Sequence, residues 1–363
     1  MDNETSAPME PASPRRIGPN RTAFSGGGSR GTGSPAPVVA WSARVTGLAL
    51  AAAALAVTLG GTQIAEQTPR FNPMIELLEQ KQPIFGLYAP ANRRNAETQK
   101  PAAQLAQEAL AYTKTDFLFD GSMEGDFERG YPAFTEFAKA VFAAGAVQKT
   151  PAPRLTHPLA VKMHEIAPDP AVAAANIARQ LNLGVSTIVF VGVESADELR
   201  TGLAAMRFAA NGGTRPDDIG AAAALWGMSD AEYRQKADVW PLNPNGELVA
   251  WAIVESREGL ANLREIAAVP GIGVLFPGAG TLRGVFTTTD ANGQRVRDLE
   301  AWEAAIQQVL AACKANNLAC GYPATADDIE TRMKQGFSVF IMSWGDAGFQ
   351  AIDIGRAAAG RSD

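Results

Sequence analysis

Asp120, Glu124 and Asp126 fall within the seven-residue stretch "DGSMEGD", directly behind the apolar run "DFLF" at 116–119. Carboxylates this dense form either a solvated turn or the floor of a site. In a site they would bind a hard divalent cation or move protons. Their mutual repulsion is tolerable mainly with a cation among them. Glu255 follows the apolar run "VAWAIV" at once and stands just before a helix start, "SREGLANL". A metal ligand is one reading, and an acid favoured by the helix dipole is the other. Lys162 ends the run "LAVK" and would offset an anionic substrate or polarise an oxygen. Other polar residues behind apolar runs are Ser122, His164, Glu194, Ser256, Thr281, Ser343 and Asp346. With only two histidines in the chain, a histidine-rich metal site is excluded and any metal must lean on carboxylates.

These residues share a context. Eight short apolar runs recur at 83–90, 116–119, 159–163, 186–192, 249–255, 273–278, 319–324 and 338–343. Each is continuous rather than alternating, as suits parallel strands covered on both faces. Between them lie amphipathic helical stretches. "SADELRTGLAAMRFA" (195–209) opens on a serine cap, and "SREGLANLREIAAVPG" (256–271) stops at Pro-Gly. Eight β/α alternations predict a TIM (β/α)8 barrel over about residues 70–360, with active-site groups at the C-terminal strand ends. An open doubly wound sheet lacks its glycine-rich phosphate fingerprint here. The 208–248 connection, with a helix of its own and two tryptophans, is long enough to have a task such as a lid or subunit contact.

Residues 1–44 are rich in Pro, Ser, Gly and Arg without periodicity and read as a disordered basic segment. The apolar run at 45–62 follows this basic lead, the layout of a signal peptide or N-terminal membrane anchor. It predicts an exported, periplasmic or membrane-anchored protein; a soluble alanine-rich helix in a cytoplasmic protein is the alternative. A formal charge of −6 and the lack of a basic stripe after residue 100 argue against a nucleic-acid partner. Cys313 and Cys320 are too few for a disulfide scaffold. They read as two buried thiols, or as one bridge in an oxidising compartment.

Several segments together resemble the HpcH/HpaI aldolase family, related to citrate lyase β subunits. They are "NPMIELLEQKQPIFGLYAP" (72–90), "GVSTIVFVGVESADELRTGLAAMRF" (184–208), "ADVWPLNPNGEL" (237–248) and "WAIVESREGLANLREIAAVPGIGVLFPGAGTL" (251–282). The resemblance implies a barrel of the pyruvate kinase-like, phosphoenolpyruvate-binding type that often forms homo-oligomers. It implies metal-dependent aldol cleavage of a 4-hydroxy-2-oxo acid to pyruvate and an aldehyde, with Mg²⁺, Mn²⁺ or Co²⁺ stabilising the enolate. The family's metal-binding Glu falls on Glu255, but its second ligand, an Asp, falls on Thr281. Its arginine falls on Lys162, and its base histidine falls on Glu124 or Gly125. The expected site is therefore Glu255 and Glu124 on metal, with Lys162, Glu124 and Asp120 catalytic. Gly278, Ala279, Gly280 and Thr281 would hold the substrate carboxylate. A barrel that has lost lyase activity, and binds a small carboxylate or a protein partner outside the cytoplasm, is the second reading.

Overall fold

The computed structural model describes residues 69–90 and 100–361. The basic segment and the apolar run expected at 1–44 and 45–62 lie outside the described residues. All eight expected strands form. They are β1 (Ile84–Tyr88), β2 (Phe117–Asp120), β3 (Leu159–Lys162), β4 (Thr187–Phe190), β5 (Leu248–Val254), β6 (Val274–Pro277), β7 (Ala319–Pro323) and β8 (Val339–Met342). Each pairs in parallel with its chain neighbours, and β1 closes the ring on β8 through Ile84↔Val339 and Gly86↔Ile341. The result is the parallel (β/α)8 barrel that the periodicity predicted.

Strand alternation sorts the side chains. Ile84, Phe117, Phe119, Ala160, Val189, Trp251, Phe276 and Ile341 fill the lumen, while Phe85, Leu118, Phe190 and Phe340 pack outward against the helices. The lumen is aromatic enough to need gaps. A Cβ on Gly86 would lie 2.0 Å from Cζ of Phe117, and one on Gly321 would lie 1.9 Å from Cδ2 of Phe276. Glycine at these two places is a spatial requirement of the ring packing.

The helix Pro73–Glu79 plugs the N-terminal end, putting Met74, Ile75 and Leu78 into the lumen cluster. Its cap Asn72 accepts from Met74 N, and the buried Glu247 carboxylate accepts from Asn72 N at 2.9 Å. The 208–248 connection holds the helices Ala222–Leu225 and Asp230–Lys236, the second with a Ser229/Glu232 capping box. It packs at this same N-terminal end: Trp226 donates to Gly184 O at 2.8 Å, and its ring meets Phe71. A lid over the strands' C-terminal ends is therefore not its task.

Cys313 and Cys320 correct an expectation. They are joined in a disulfide, not left as two thiols, although both are buried as expected. The end of helix Leu299–Ala315 and the start of β7 lie back to back, with Cα atoms 5.7 Å apart, inside the range a disulfide spans. Among the described residues no helix is long and apolar enough to cross a membrane.

Candidate active site at the C-terminal mouth of the barrel

The same alternation that fills the lumen decides which polar residues face the mouth. Lys162 lies two positions beyond the lumen residue Ala160, Glu255 two beyond Ile253, and Tyr88 two beyond Gly86. They enter one cavity of about 210 Å³, floored by Phe119, Ile253, Phe276 and Ile341. Its remaining wall is Gly278, Ala279, Gly280, Thr281 and Pro323. The volume is below the roughly 300–1,000 Å³ of drug-sized ligand sites and suits a substrate of a few carbons. Two larger hollows, about 360 and 480 Å³, lie at the N-terminal end around Glu247 and Trp240. Functional groups of such barrels come from the opposite end, so the smaller cavity is the candidate.

Lys162 Nζ donates to Glu124 Oε1 at 2.6 Å, so Glu124 reaches the cavity through the lysine. The lysine side chain is 15 % exposed and the glutamate 37 %, which leaves the pair accessible to a small molecule from the mouth. A Cβ on Gly121 would make ordinary contacts here, 3.6 Å from Lys162 Cδ and 3.9 Å from Glu124 Oε2, so this corner is not tightly packed. The buried Gln180 of helix Pro170–Leu181 donates to Lys162 O at 3.2 Å and fixes the strand end. His164 Nδ1 donates to Glu124 O at 3.2 Å. The acidic loop carries no histidine of its own, yet the fold brings one beside Glu124 from the next strand.

The three acids of the opening stretch part company. Only Glu124 turns to the mouth. Asp120 is buried, on the strand face opposite Phe119, and its Oδ1 accepts from Ser122 N at 2.8 Å and from Ser122 Oγ at 2.6 Å. Burial pushes its carboxyl above the usual carboxylate range, against the lowering effect of the Ser122 bonds. Asp120 is not among the residues lining the cavity, where the sequence placed it as a catalytic group. Asp126 caps helix Phe127–Ala143 by accepting from Arg129 N.

Glu255 faces the cavity, and its Oε1 accepts from Gly192 N at 3.0 Å. Gly192 has φ +59°, a conformation glycine takes freely, and that turn aims its N–H at the carboxylate. A Cβ on Gly278 would lie 2.4 Å from both Cβ and Oε2 of Glu255. Tyr88 was missed by sequence reasoning, although its place two residues past Gly86 marks it. Desolvation at the mouth, then the Glu124 and Asp120 charges, raise its hydroxyl pKa, so it stays a neutral donor. Ser256 caps helix Arg257–Ala261, and Asp346 lies exposed in the first turn of Asp346–Ala358.

A divalent cation of the expected kind does not fit this donor set. The described cavity lining offers one carboxylate, Glu255, with one oxygen already held by a backbone N–H, and the neutral Thr281. Hard cations take oxygen ligands, and a lone, partly committed carboxylate is a weak anchor for one. Glu124, the expected second ligand, has Oε1 committed to Lys162, and the ammonium brings a positive charge into the same small space. Among the described residues no group of three or more His, Cys, Asp or Glu side chains could hold a metal ion.

A lysine, a glutamate and a phenol thus line one small cavity at the C-terminal end of a parallel (β/α)8 barrel, the end where such barrels carry their active sites. The sequence matches HpcH/HpaI aldolase/citrate lyase over residues 132–353, and the chain belongs to that family. It is 27% identical over 214 residues to a hydroxypyruvate/pyruvate aldolase of Paraburkholderia phytofirmans, covering 58% of this chain and 69% of that protein. It is 29% identical over 161 residues to a 2-dehydro-3,6-dideoxy-6-sulfogluconate aldolase of Pseudomonas putida, covering 44% of this chain and 58% of that protein. The fold is similar to that of an HpcH/HpaI aldolase/citrate lyase family protein from Burkholderia cenocepacia J2315. There the TM-score is 0.57 at 22% identity, over 79% of this chain and 97% of the other.

Proposed function

We propose that the protein is a carbon–carbon lyase that cleaves a 4-hydroxy-2-oxo acid to pyruvate and an aldehyde. One observation carries this reading: Lys162, paired with Glu124, and Glu255 converge on a single small cavity at the C-terminal end of the barrel. Lys162 supplies positive charge for the 2-oxo group. The chain at Gly278, Ala279 and Gly280, with the Thr281 hydroxyl, borders the space for the substrate carboxylate. The aldolase names of the two relatives support the same reaction class. The unmatched donor set leaves the metal out of the reaction steps assigned to these residues.

The Cys313–Cys320 disulfide supports a protein that works outside a reducing cytoplasm, as the apolar run at 45–62 predicts for an exported or anchored chain. The experiment is pyruvate release from a panel of 4-hydroxy-2-oxo acids, run with Mg²⁺, Mn²⁺ or Co²⁺ and again with chelator. Turnover that Glu255→Ala abolishes is expected. Failure to release pyruvate from any member, under any of these conditions, leaves the degenerate barrel as the reading, which Thr281 in place of a carboxylate favours.

A further inference from the structure

We propose that Lys162 is a covalent catalyst: its amine forms an imine with the 2-oxo group of the substrate and does the work for which the cavity lacks a cation site. The inference rests on the lyase reading of the same cavity. Three observations carry it. Lys162 is the one lysine lining the described cavity, at the end of β3 with its backbone carbonyl fixed by Gln180. Its Nζ donates to Glu124 Oε1 at 2.6 Å, a carboxylate placed to take and return a proton. Thr281, the lining residue on which the family resemblance places the second metal ligand, is a neutral side chain. An amine is the other protein group that turns a ketone into an electron sink, because an iminium accepts electrons as a polarised carbonyl does.

The steps balance without an added co-reactant. The Lys162 ammonium passes a proton to the Glu124 carboxylate. The free amine adds to C2, and its second proton moves to the former carbonyl oxygen, giving a carbinolamine. Glu124 protonates that hydroxyl, water leaves and the C=N bond of the iminium forms. Glu255 then takes the proton of the C4 hydroxyl as the C3–C4 bond breaks. The C4 oxygen's electrons form the aldehyde, and the C3–C4 pair flows into the iminium as an enamine. Glu255 returns the proton to C3. Water hydrolyses the iminium through the reverse steps, releasing pyruvate and the ammonium. The Gly192 N–H on Glu255 Oε1 holds that carboxylate in the mouth while leaving Oε2 free for the proton.

The test uses pyruvate itself as the probe. Full-length protein is incubated with pyruvate and sodium borohydride in the presence of chelator, digested and examined by mass spectrometry. An adduct of pyruvate less water plus two hydrogens is expected on the peptide holding Lys162, and none in Lys162→Arg, which keeps the charge. In Glu124→Gln the trapping rate should fall at least about tenfold, as loss of a general acid–base group does, with the melting temperature serving as the folding control. Pyruvate release that chelator abolishes, with no adduct in the wild type, overturns the imine and leaves the lyase reading standing. An adduct with no release from any substrate supports the imine and removes the lyase reading. Absence of both removes both.

Discussion

Gly278→Ala is the sharpest probe of the mouth. Gly278 has φ −69° and ψ 68°, within reach of any residue, so the substitution carries no left-handed strain. Its effect is spatial. The new methyl would lie 2.4 Å from both Cβ and Oε2 of Glu255. Ordinary carbon contacts are about 3.5 Å or more, so the two chain segments must separate by about 1 Å. Glu255 Cβ belongs to the backbone frame just past β5, so rotating the side chain alone cannot relieve the clash. The carboxylate is then pulled from its bond to Gly192 N. A displacement of about 1 Å at a reacting group reduces turnover about a hundredfold, and overpacking destabilises by roughly 1–3 kcal/mol. Pyruvate release measured by a coupled reductase, alongside thermal unfolding, reads both. If Gly278→Ala keeps wild-type turnover and melting temperature, the close seating of Gly278 on Glu255 is refuted, and with it the positioning of Glu255.

Three further outcomes follow from the fold. Gly86→Ala drives a methyl to 2.0 Å from the Phe117 ring and should destabilise by about 1–3 kcal/mol in thermal melts; adding Phe117→Leu should recover part of that loss. The raised pKa of Asp120 means that the folded state binds its proton more tightly than the unfolded state, so its contribution falls as pH rises from the ordinary carboxylate value through the folded one. Asp120→Asn should therefore melt higher than wild type at pH 7 and lose that advantage as pH falls below about 3, where the wild-type side chain is protonated in both states. Cys313→Ser removes a cross-link of sequence separation 7 and should lower stability by roughly 2–3 kcal/mol in denaturant melts. Intact-mass analysis after alkylation without reductant should find both wild-type cysteines blocked.

The barrel was legible in the chain because its strands are buried on both faces, so burial shows as continuous apolar runs, and all eight recur in the structure. The strand ends were legible for the same reason. Glu255 and Lys162 follow directly from alternation, two positions past Ile253 and Ala160. Composition also settled that cysteine and histidine could not dominate a site, since only two of each exist. Loop geometry was not legible. Asp120, Glu124 and Asp126 are one acid cluster in the sequence, yet they become a buried acceptor for Ser122, a partner of Lys162 and a helix cap. Their directions depend on a turn whose path is set by packing against β3 and the helices, not by residue type. His164 beside Glu124, Gly192 beneath Glu255 and Tyr88 at the mouth join through contacts between different strands. Local pattern carries the period of each strand; only closure of the ring decides which strand ends meet, and that closure assembled the cavity.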